Sequence, residues 1–177
     1  QKQRYPGAVN TTGVYVTCVS GLIELCGWDT LLLAAGENPA AFGEFARRYT
    51  KWLLPAFEGL AKCDAPIVSV HDDMVWSSGP FVHPEWYRRY VFPSYKELFR
   101  PLHEAGKKIL FICDGCYDQF VGDVAGCGVS GFVMEPLTDL AAVAEKYGKT
   151  HVLVGNADTR VLLSGARDDI AGEVKRC

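Results

Sequence analysis

Short apolar runs alternate with longer amphipathic stretches along the second half of the chain. Four of these runs are rich in β-branched residues, and each is followed by a segment with helical periodicity. They are 66–70 (PIVSV), 108–112 (KILFI), 131–135 (GFVME) and 151–155 (HVLVG). This order is typical of βα units around a parallel sheet. Because the runs show no polar alternation, we expect their strands to be covered on both faces.

The segments between the runs carry signals for the starts and ends of helices. A long helical region follows 66–70, and Pro93 should divide it into two helices because proline removes a hydrogen bond from the helical ladder. Pro55 is a predicted kink in an amphipathic helix further upstream. The last three runs are each followed by one predicted helix, near 117–126, 139–147 and 168–176.

The first third of the chain has a weaker pattern. Residues 14–19 (VYVTCV) are predicted to form a strand and residues 21–28 (GLIELCGW) a short helix, which makes five strands in all. Five strands are too few to close an eight-stranded barrel, whose usual size is about 250 residues. The predicted class is therefore α/β, as a small open sheet or as a portion of a larger barrel. Residues 1–177 are interpreted as one α/β domain, with the clearest βα units in 65–177.

Composition and charge narrow the class of protein. Hydrophobic residues make up 49% of the 177 residues and charged residues 22%, which is enough to build an ordinary core. The net charge is −3 and the lysines and arginines are scattered, so no basic surface is available for nucleic acid. No apolar stretch approaches the roughly 20 residues of a membrane-spanning helix, and the first residues lack the apolar core of a signal peptide. We expect a cytoplasmic protein without nucleic-acid or membrane partners; a homodimer is an open alternative.

Polar residues follow each of the four predicted strands in the second half. In α/β barrels and open sheets, ligands bind at the carboxyl ends of the strands, so these residues are the candidates for a functional site. The candidate catalytic residues are four carboxylates: Asp72, Asp73, Asp114 and Glu135. The candidate substrate-binding residues are His71, Asn156, Asp158 and Arg160.

Several of these residues also have a purely structural interpretation. Asp72 and Asp73 could cap a loop or the helix that follows. Asp158 and Arg160 could pair with each other and brace a βα loop. His71 could be hydrogen-bonded to the neighbouring strand. These alternatives remain open at the level of sequence.

Cys113 and Cys116 form a C-x-x-C pair directly after the run 108–112. A structural zinc site normally needs four ligands, and only one such pair is present. Cys116 lies near the start of the predicted helix 117–126, where a helix dipole could make its thiol reactive. The simplest interpretation is two small residues packed at a strand end. The odd number of cysteines, seven, favours reduced thiols.

Three longer stretches carry a resemblance to a known family. They are HDDMVWSSGPFVHPEWYRRYVFPSYKELFRPLHEAGKKILF, GVSGFVMEPLTDLAAVAEKYG and VLVGNADTRVLLSGARDDIAGEVKRC. In this order they resemble the uroporphyrinogen decarboxylase (URO-D) superfamily, which includes methyltransferases that serve corrinoid proteins and thiols. The resemblance covers roughly residues 65–177. It implies a (β/α)8 TIM barrel of the URO-D type, of which this chain would be the middle and later portion.

Two departures from the family pattern bear on function. The thiol-directed methyltransferases carry a His-x-Cys-Gly zinc motif after the strand that matches 108–112, but Ile112 and Asp114 occupy the histidine and cysteine positions here. A rearranged zinc site that uses Asp114 and Cys116 is the alternative. The decarboxylases carry an arginine-rich R-Q-A-G-R segment and an aspartate near the amino end, and this sequence contains neither segment.

The resemblance implies an enzyme with one of two activities, or a binding protein. The first is methyl transfer linked to a corrinoid or another methyl donor, and the second is cofactor-free decarboxylation of uroporphyrinogen. The third possibility is non-catalytic binding of a corrinoid partner. The residues at the strand ends are mostly acidic and include few arginines. This favours methyl transfer from a small-molecule substrate over decarboxylation, because the buried carboxylates of a porphyrinogen would need cationic partners. Zinc, and a corrinoid carried by a partner protein, are the candidate cofactors.

Overall fold

A computed structural model describes residues 4–177 of the chain. Its strands are β1 (Thr11–Val14), β2 (Ile67–His71), β3 (Val75–Trp76), β4 (Gly79–Pro80), β5 (Lys108–Cys113), β6 (Gly131–Met134) and β7 (Val152–Gly155). Five of them form one parallel sheet in the order β1-β2-β5-β6-β7, and β3 pairs with β4 in a separate antiparallel hairpin. The predicted α/β class is confirmed. A five-stranded parallel sheet with helical connections is consistent with part of a (β/α)8 barrel.

Helices connect the strands of the sheet. They are α1 (Cys18–Cys26), α2 (Trp28–Glu37), α3 (Pro39–Lys62), α4 (Pro84–Trp86), α5 (Phe92–Glu104), α6 (Val121–Ala125), α7 (Leu140–Tyr147), α8 (Thr159–Ser164) and α9 (Arg167–Arg176). Two of the predicted helices, 139–147 and 168–176, match α7 and α9 to within one residue at each end. The predicted helix 117–126 is shorter, because a 3₁₀ turn (Asp118–Phe120) precedes α6.

The predicted break at Pro93 takes the form of a π-helical turn. This turn, Tyr87–Val91, joins α4 to α5 and places Pro93 in the first turn of α5. Because proline has no N–H to donate, its ring is accommodated where the wider π-helical turn runs into α5. Pro55 lies inside α3, as the pattern of that helix predicted.

The first strand lies earlier than the sequence predicted. Residues 14–19 were expected to form a strand, but β1 ends at Val14 and α1 begins at Cys18. The Asp72 carboxylate accepts hydrogen bonds from the backbone N–H groups of Val19 and Ser20, at 2.9 and 2.6 Å. These bonds satisfy free donors in the first turn of α1 and hold the helix start at the sheet edge. The apolar pattern of residues 14–19 could not predict this helix start, because it depends on Asp72, which lies 53 residues from Val19 in the chain.

One face of the sheet is buried under helices and the other is partly open. Tyr95 of α5 packs edge-on against Phe111 of β5, with ring centroids 5.3 Å apart, and α3 packs outside α5 through Phe57 and Phe99. The opposite face includes Val152 and Val154, which are 55% and 43% exposed. Coverage of both faces, as expected from the apolar runs, is therefore not found within residues 4–177. In a barrel the second face is the interior, which strand side chains fill without a helical layer.

Within the described residues 4–177, no single helix is long and apolar enough to cross a membrane. In this part of the chain, one pair of helices, α1 and α2, reaches that length and composition together, but the pair is bent by 110° between the two helices.

Candidate active site

Neighbouring strands bring three carboxylates to one edge of the sheet. Asp73 follows β2, Asp114 follows β5 and Glu135 follows β6. The register pairs His71 with Ile112 and Cys113 with Met134, so the residues after these strands lie side by side. Parallel strands all end at the same edge, which is why the sequence could predict this gathering.

Asp73 lies at the centre of a small hydrogen-bonded cluster. Its Oδ1 lies 2.9 Å from His71 Nε2 and accepts a hydrogen bond from the backbone N–H of Asp114, at 3.0 Å. Asp114 Oδ2 is 3.9 Å from the same His71 nitrogen, and the ring of Tyr15 packs edge-on against His71 at 4.4 Å. One nitrogen and two carboxylate oxygens within 4.8 Å of one another form a spacing at which a divalent cation could be held.

The surroundings of Asp114 change its affinity for a proton. Its desolvation raises the pKa of the carboxyl group, the charges of Asp73 and Glu135 raise it further, and His71 lowers it. Two carboxylates at close range disfavour a third negative charge, so Asp114 keeps a proton to higher pH than an isolated aspartate does. A carboxyl group of this kind can donate a proton to a reacting molecule.

A pocket of about 460 Å³ opens beside these carboxylates. We call it the rim pocket. Its acidic lining residues are Glu24, Asp73, Asp114 and Glu135, and its aromatic lining residues are Tyr15, Trp28 and Trp76. The rest of its lining is apolar or uncharged, and no lysine or arginine of the described chain lines it. The lining of the rim pocket therefore combines acidic and aromatic residues, and we call the surface formed by the aromatic ones its aromatic side.

Two tryptophans on separate elements form the aromatic side. Trp28 opens α2 and Trp76 belongs to the β3-β4 hairpin, and their ring centroids are 5.8 Å apart. Phe81 packs behind both rings, at 5.0 and 5.5 Å. The two indoles remain 41% and 48% exposed, and Tyr15 remains 70% exposed.

Gly115 lets the hairpin approach the carboxylates. Its φ is +84°, and a Cβ at this position would lie 2.8 Å from the carbonyl oxygen of Trp76. The next residue, Cys116, donates its N–H to that carbonyl oxygen at 3.1 Å. The N–H of Gly115 donates to Glu135 Oε2 at 3.3 Å, which orients the carboxylate at the rim pocket. Any side chain at 115 would strain the backbone and separate the hairpin from this loop.

Asp72 points away from the rim pocket. It is fully buried and accepts hydrogen bonds from Val19, Ser20 and the Tyr95 hydroxyl, the last at 2.5 Å. Burial, and then the Asp72 charge, raise the pKa of Tyr95, so its hydroxyl remains a donor. Asp72 corresponds to the capping alternative of the sequence, although the helix that it caps precedes it in the chain.

Asn156 is buried within the loops that follow β6 and β7. Its Nδ2 donates to the carbonyl oxygens of Glu135 and Thr138 at 3.2 and 2.9 Å, and its Oδ1 accepts from Arg176 at 2.9 Å. These bonds connect the loop after β6 to the loop after β7 and to α9. Asn156 therefore supports the backbone next to Glu135 and does not line the rim pocket.

Asp158 and Arg160 form an ion pair with each other, which is the structural alternative to substrate binding that the sequence left open. Asp158 caps α8 by accepting from the N–H of Arg160 at 2.8 Å, and the guanidinium lies 2.6 Å from the same carboxylate. Hydrogen bonds from the Arg160 side chain and backbone lower the pKa of Asp158 to about 2. The Arg160 side chain is 81% exposed and is absent from the lining of the rim pocket.

The two cysteines of the C-x-x-C pair have different hydrogen-bond partners, and a zinc site of Asp114 with Cys116 stays a prediction. Cys113 is buried and donates to the carbonyl oxygen of Asp114, and Cys116 donates to an oxygen of Asp118 at 3.4 Å. Desolvation raises the pKa of both thiols, which favours their protonated form. With Ile112 at the histidine position of the family motif, these residues do not fit the zinc site of the thiol-directed methyltransferases. All seven cysteines are free, in agreement with the expected reduced thiols.

Sequence reasoning missed one whole side of the rim pocket. Tyr15, Glu24 and Trp28 come from the first third of the chain, where the pattern was weak, and Trp76 comes from a hairpin of two-residue strands. A two-residue strand is too short to show periodicity. The sequence did contain one signal for this part of the pocket, which is the isolated aromatic residue Trp76 between Asp73 and the Ser77-Ser78 turn.

The chain has an α/β fold of the kind found in barrel enzymes, and its acidic site lies at the carboxyl ends of the parallel strands, where such enzymes bind their substrates. The sequence profile of the family described as Uroporphyrinogen decarboxylase (URO-D) matches residues 2–177. The chain belongs to this family, and the resemblance inferred from residues 65–177 is confirmed. Among curated proteins, no sequence matches the chain. Membership supports a decarboxylase or a related methyltransferase.

Proposed function

We propose that the chain is a methyl-transfer enzyme of the URO-D family and that the rim pocket binds its methyl donor. The observation that carries the proposal is the charge of this pocket. Four carboxylates line it, and neither lysine nor arginine does in the described residues. Such a site favours a neutral or cationic small molecule over a polyanion.

Decarboxylation of uroporphyrinogen is the alternative activity, and it needs a positively charged binding site. Its substrate carries several acetate and propionate groups, which need cationic partners when they leave water. Arg160 is paired with Asp158, and Arg176 is paired with Glu173 and Asn156. Neither arginine lines the rim pocket. The substrate carboxylates would therefore meet like charge at this site.

The reaction can be written with the electron pairs assigned. The bond between the donor heteroatom and its methyl carbon breaks, and both electrons stay on the heteroatom. A nucleophilic acceptor, a thiolate or a reduced corrinoid on a partner protein, supplies the pair for the new bond to the methyl group. Asp114 in its protonated form can give its proton to a leaving atom, and Asp73 positions the Asp114 backbone.

Glu135 and His71 complete the assignment of roles. Glu135 faces the rim pocket with its orientation held by the N–H of Gly115, so it is positioned to contact the donor. His71 is hydrogen-bonded to Asp73 and keeps that carboxylate beside Asp114. Asp72 and Asn156 act through the backbone that they hold, and we assign them positioning roles.

The experiment compares two reactions of the full chain. Formation of methylcobalamin from cob(I)alamin is followed by absorbance with a panel of methoxylated and N-methylated donors, and uroporphyrinogen turnover is followed by chromatography. We expect methyl transfer with at least one donor and no turnover of uroporphyrinogen. Asp114→Asn should reduce the rate roughly 100-fold, within the range for loss of a general acid.

A matched control separates local from general effects. Asp168→Asn removes an exposed carboxylate from α9, far from the rim pocket lining, and should leave the rate unchanged. Glu135→Gln should raise the donor KM, because it removes a charge that faces the donor. Uroporphyrinogen turnover without methyl transfer would overturn the proposal. Full activity of both Asp114→Asn and Glu135→Gln would overturn the assignment of roles.

A further inference from the structure

The exposed aromatic side of the rim pocket is not explained by an acidic site alone. Trp28 and Trp76 keep nearly half of their surface in solvent while their rings contact each other and Phe81. Large apolar side chains that remain exposed as a group commonly mark a place where another molecule binds. Both tryptophans line the same pocket as the carboxylates, so the rim pocket lining is the relevant surface.

We infer that the rim pocket selects a quaternary ammonium compound, a methylated organic cation. This inference rests on the proposed function, in which that compound is the methyl donor. Aromatic ring faces carry negative electrostatic potential and attract cations that are wrapped in methyl groups. Carboxylates in the same lining supply the remaining negative charge. The combination of Trp28, Trp76 and Tyr15 with four acidic residues meets both requirements.

The charges of the pocket favour this ligand over a neutral methoxylated compound. Glu24 and Glu135 form no salt bridge with lysine or arginine within residues 4–177, although the charge of Arg160 acts on Glu135 from outside the pocket lining. A neutral donor would cover the aromatic rings but would leave these two carboxylates without a counter-charge inside the pocket. A quaternary ammonium compound supplies that charge without needing a hydrogen-bond acceptor.

The same observations distinguish an organic cation from a bare metal ion. A divalent cation would need only the cluster of His71, Asp73 and Asp114. It would leave the exposed faces of Trp28 and Trp76 without a contact. The aromatic side therefore points to the methylated cation, and a metal ion becomes an outcome that the test can detect.

The chemistry of the donor is balanced in the proposed reaction. The C–N bond of the ammonium group breaks, both electrons stay on nitrogen, and a neutral tertiary amine leaves without needing a proton. The general-acid role of Asp114, and the loss of rate expected for Asp114→Asn, therefore apply to a donor that leaves as an anion, such as a methoxylated compound. The acceptor, a thiolate or a reduced corrinoid, supplies the electron pair that forms the new bond to the methyl carbon.

The test measures binding of two molecules of the same shape to the full chain. Choline is the cation, and 3,3-dimethyl-1-butanol is its neutral isostere, with carbon in place of the nitrogen. Titration calorimetry is carried out with EDTA present and is then repeated without EDTA. We expect choline to bind at least roughly tenfold more tightly than the isostere, since cation–π contacts and carboxylates act only on the charged molecule.

Tryptophan variants locate the site of binding. Trp28→Leu and Trp76→Leu should each weaken choline binding roughly fivefold or more. Trp52→Leu is the matched control, because Trp52 is 73% exposed on α3, stacks on Tyr49 and is absent from the rim pocket lining. It should bind choline as the parent chain does. Circular dichroism of all three variants checks that they are folded.

Each outcome bears on the inference. Equal binding of choline and its isostere, or equal weakening by all three tryptophan substitutions, would overturn it. Choline binding that appears only without EDTA, together with tight binding of Zn²⁺ or Mg²⁺ alone, would show a metal site in its place. Methyl transfer from a methoxylated donor without choline binding would overturn the ligand class and leave the proposed function standing. Choline binding without any methyl transfer would support the ligand class and overturn the proposed function.

Discussion

Replacement of Asp72 by alanine tests whether this carboxylate holds α1 against the sheet. The side chain is fully buried and accepts from three donors, the backbone N–H groups of Val19 and Ser20 and the hydroxyl group of Tyr95. The two N–H groups lie in the first turn of α1 and have no intrahelical acceptor. Alanine would leave both N–H groups without a partner and would leave the Tyr95 hydroxyl only the sulfur of Met74, at 4.0 Å.

The expected loss of stability follows from these three donors. A hydrogen bond to a charged group contributes about 1.5–3 kcal/mol, and a buried donor left unpaired costs about 1–3 kcal/mol. The three bonds share one carboxylate, so their contributions do not simply add. We expect Asp72→Ala to lower the free energy of unfolding by about 4 kcal/mol, in the range for removal of one partner from a buried charged network. For a chain of this length, that corresponds to a Tm lower by roughly 8–16 °C.

Urea unfolding followed by far-UV circular dichroism measures this loss. Tyr95→Phe is the matched variant, because it removes one donor and keeps the aromatic packing, and it should cost about 1–2 kcal/mol. The double variant should lose less than the sum of the two single variants, since both remove the same hydrogen bond. An unfolding free energy for Asp72→Ala within about 1 kcal/mol of the parent value would refute this account of the helix start. Normal stability of Asp72→Asn with abolished methyl transfer would instead place Asp72 in the reaction.

Three further predictions concern the loops and the cluster. Asn156→Ala should lower the unfolding free energy by about 2 kcal/mol, because the carbonyl oxygen of Thr138 loses its Asn156 donor and the carbonyl oxygen of Glu135 and Arg176 each lose one of their hydrogen bonds; a change below about 0.5 kcal/mol in urea unfolding would contradict this. Gly115→Ala should lower Tm, because φ at this position is +84° and a Cβ would lie 2.8 Å from the carbonyl oxygen of Trp76. The substitution should also displace Trp76, which a change in the quenching of tryptophan fluorescence would report. The raised pKa of Asp114 means that the folded chain holds this proton to higher pH than the unfolded chain, so its contribution to stability falls as pH rises above the ordinary value of 3.8. Asp114→Asn should remove that part of the decline in Tm with pH, and an unchanged pH profile would show that the carboxyl group is not perturbed.

The sheet and its functional edge were largely predictable from the sequence. The four strands of the second half are apolar and β-branched, and each predicted run agrees with the observed strand to within one residue at each end. Because parallel strands end at the same edge, the residues after them could be placed together before any contact was known. His71, Asp73, Asp114 and Glu135 are in fact gathered there.

The roles of two neighbouring aspartates could not be separated in the same way. Asp72 and Asp73 are chemically identical and adjacent, but successive side chains at a strand end point to opposite faces. Asp72 therefore turns toward α1 and Tyr95, and Asp73 turns toward His71 and the rim pocket. Only the packing of α1 and α5 against the sheet decides which carboxylate is buried.

The sequence by itself determined the α/β class, the order of the main βα units and the acidic edge of the sheet, because these depend on local periodicity and on the direction of the strands. The tertiary structure decided what faces that edge. Trp28 and Trp76 meet at 5.8 Å although 48 residues separate them in the chain. Local patterns report whether a residue is apolar and how it repeats, but a contact between distant elements depends on how helices and hairpin pack, which no single stretch of sequence encodes.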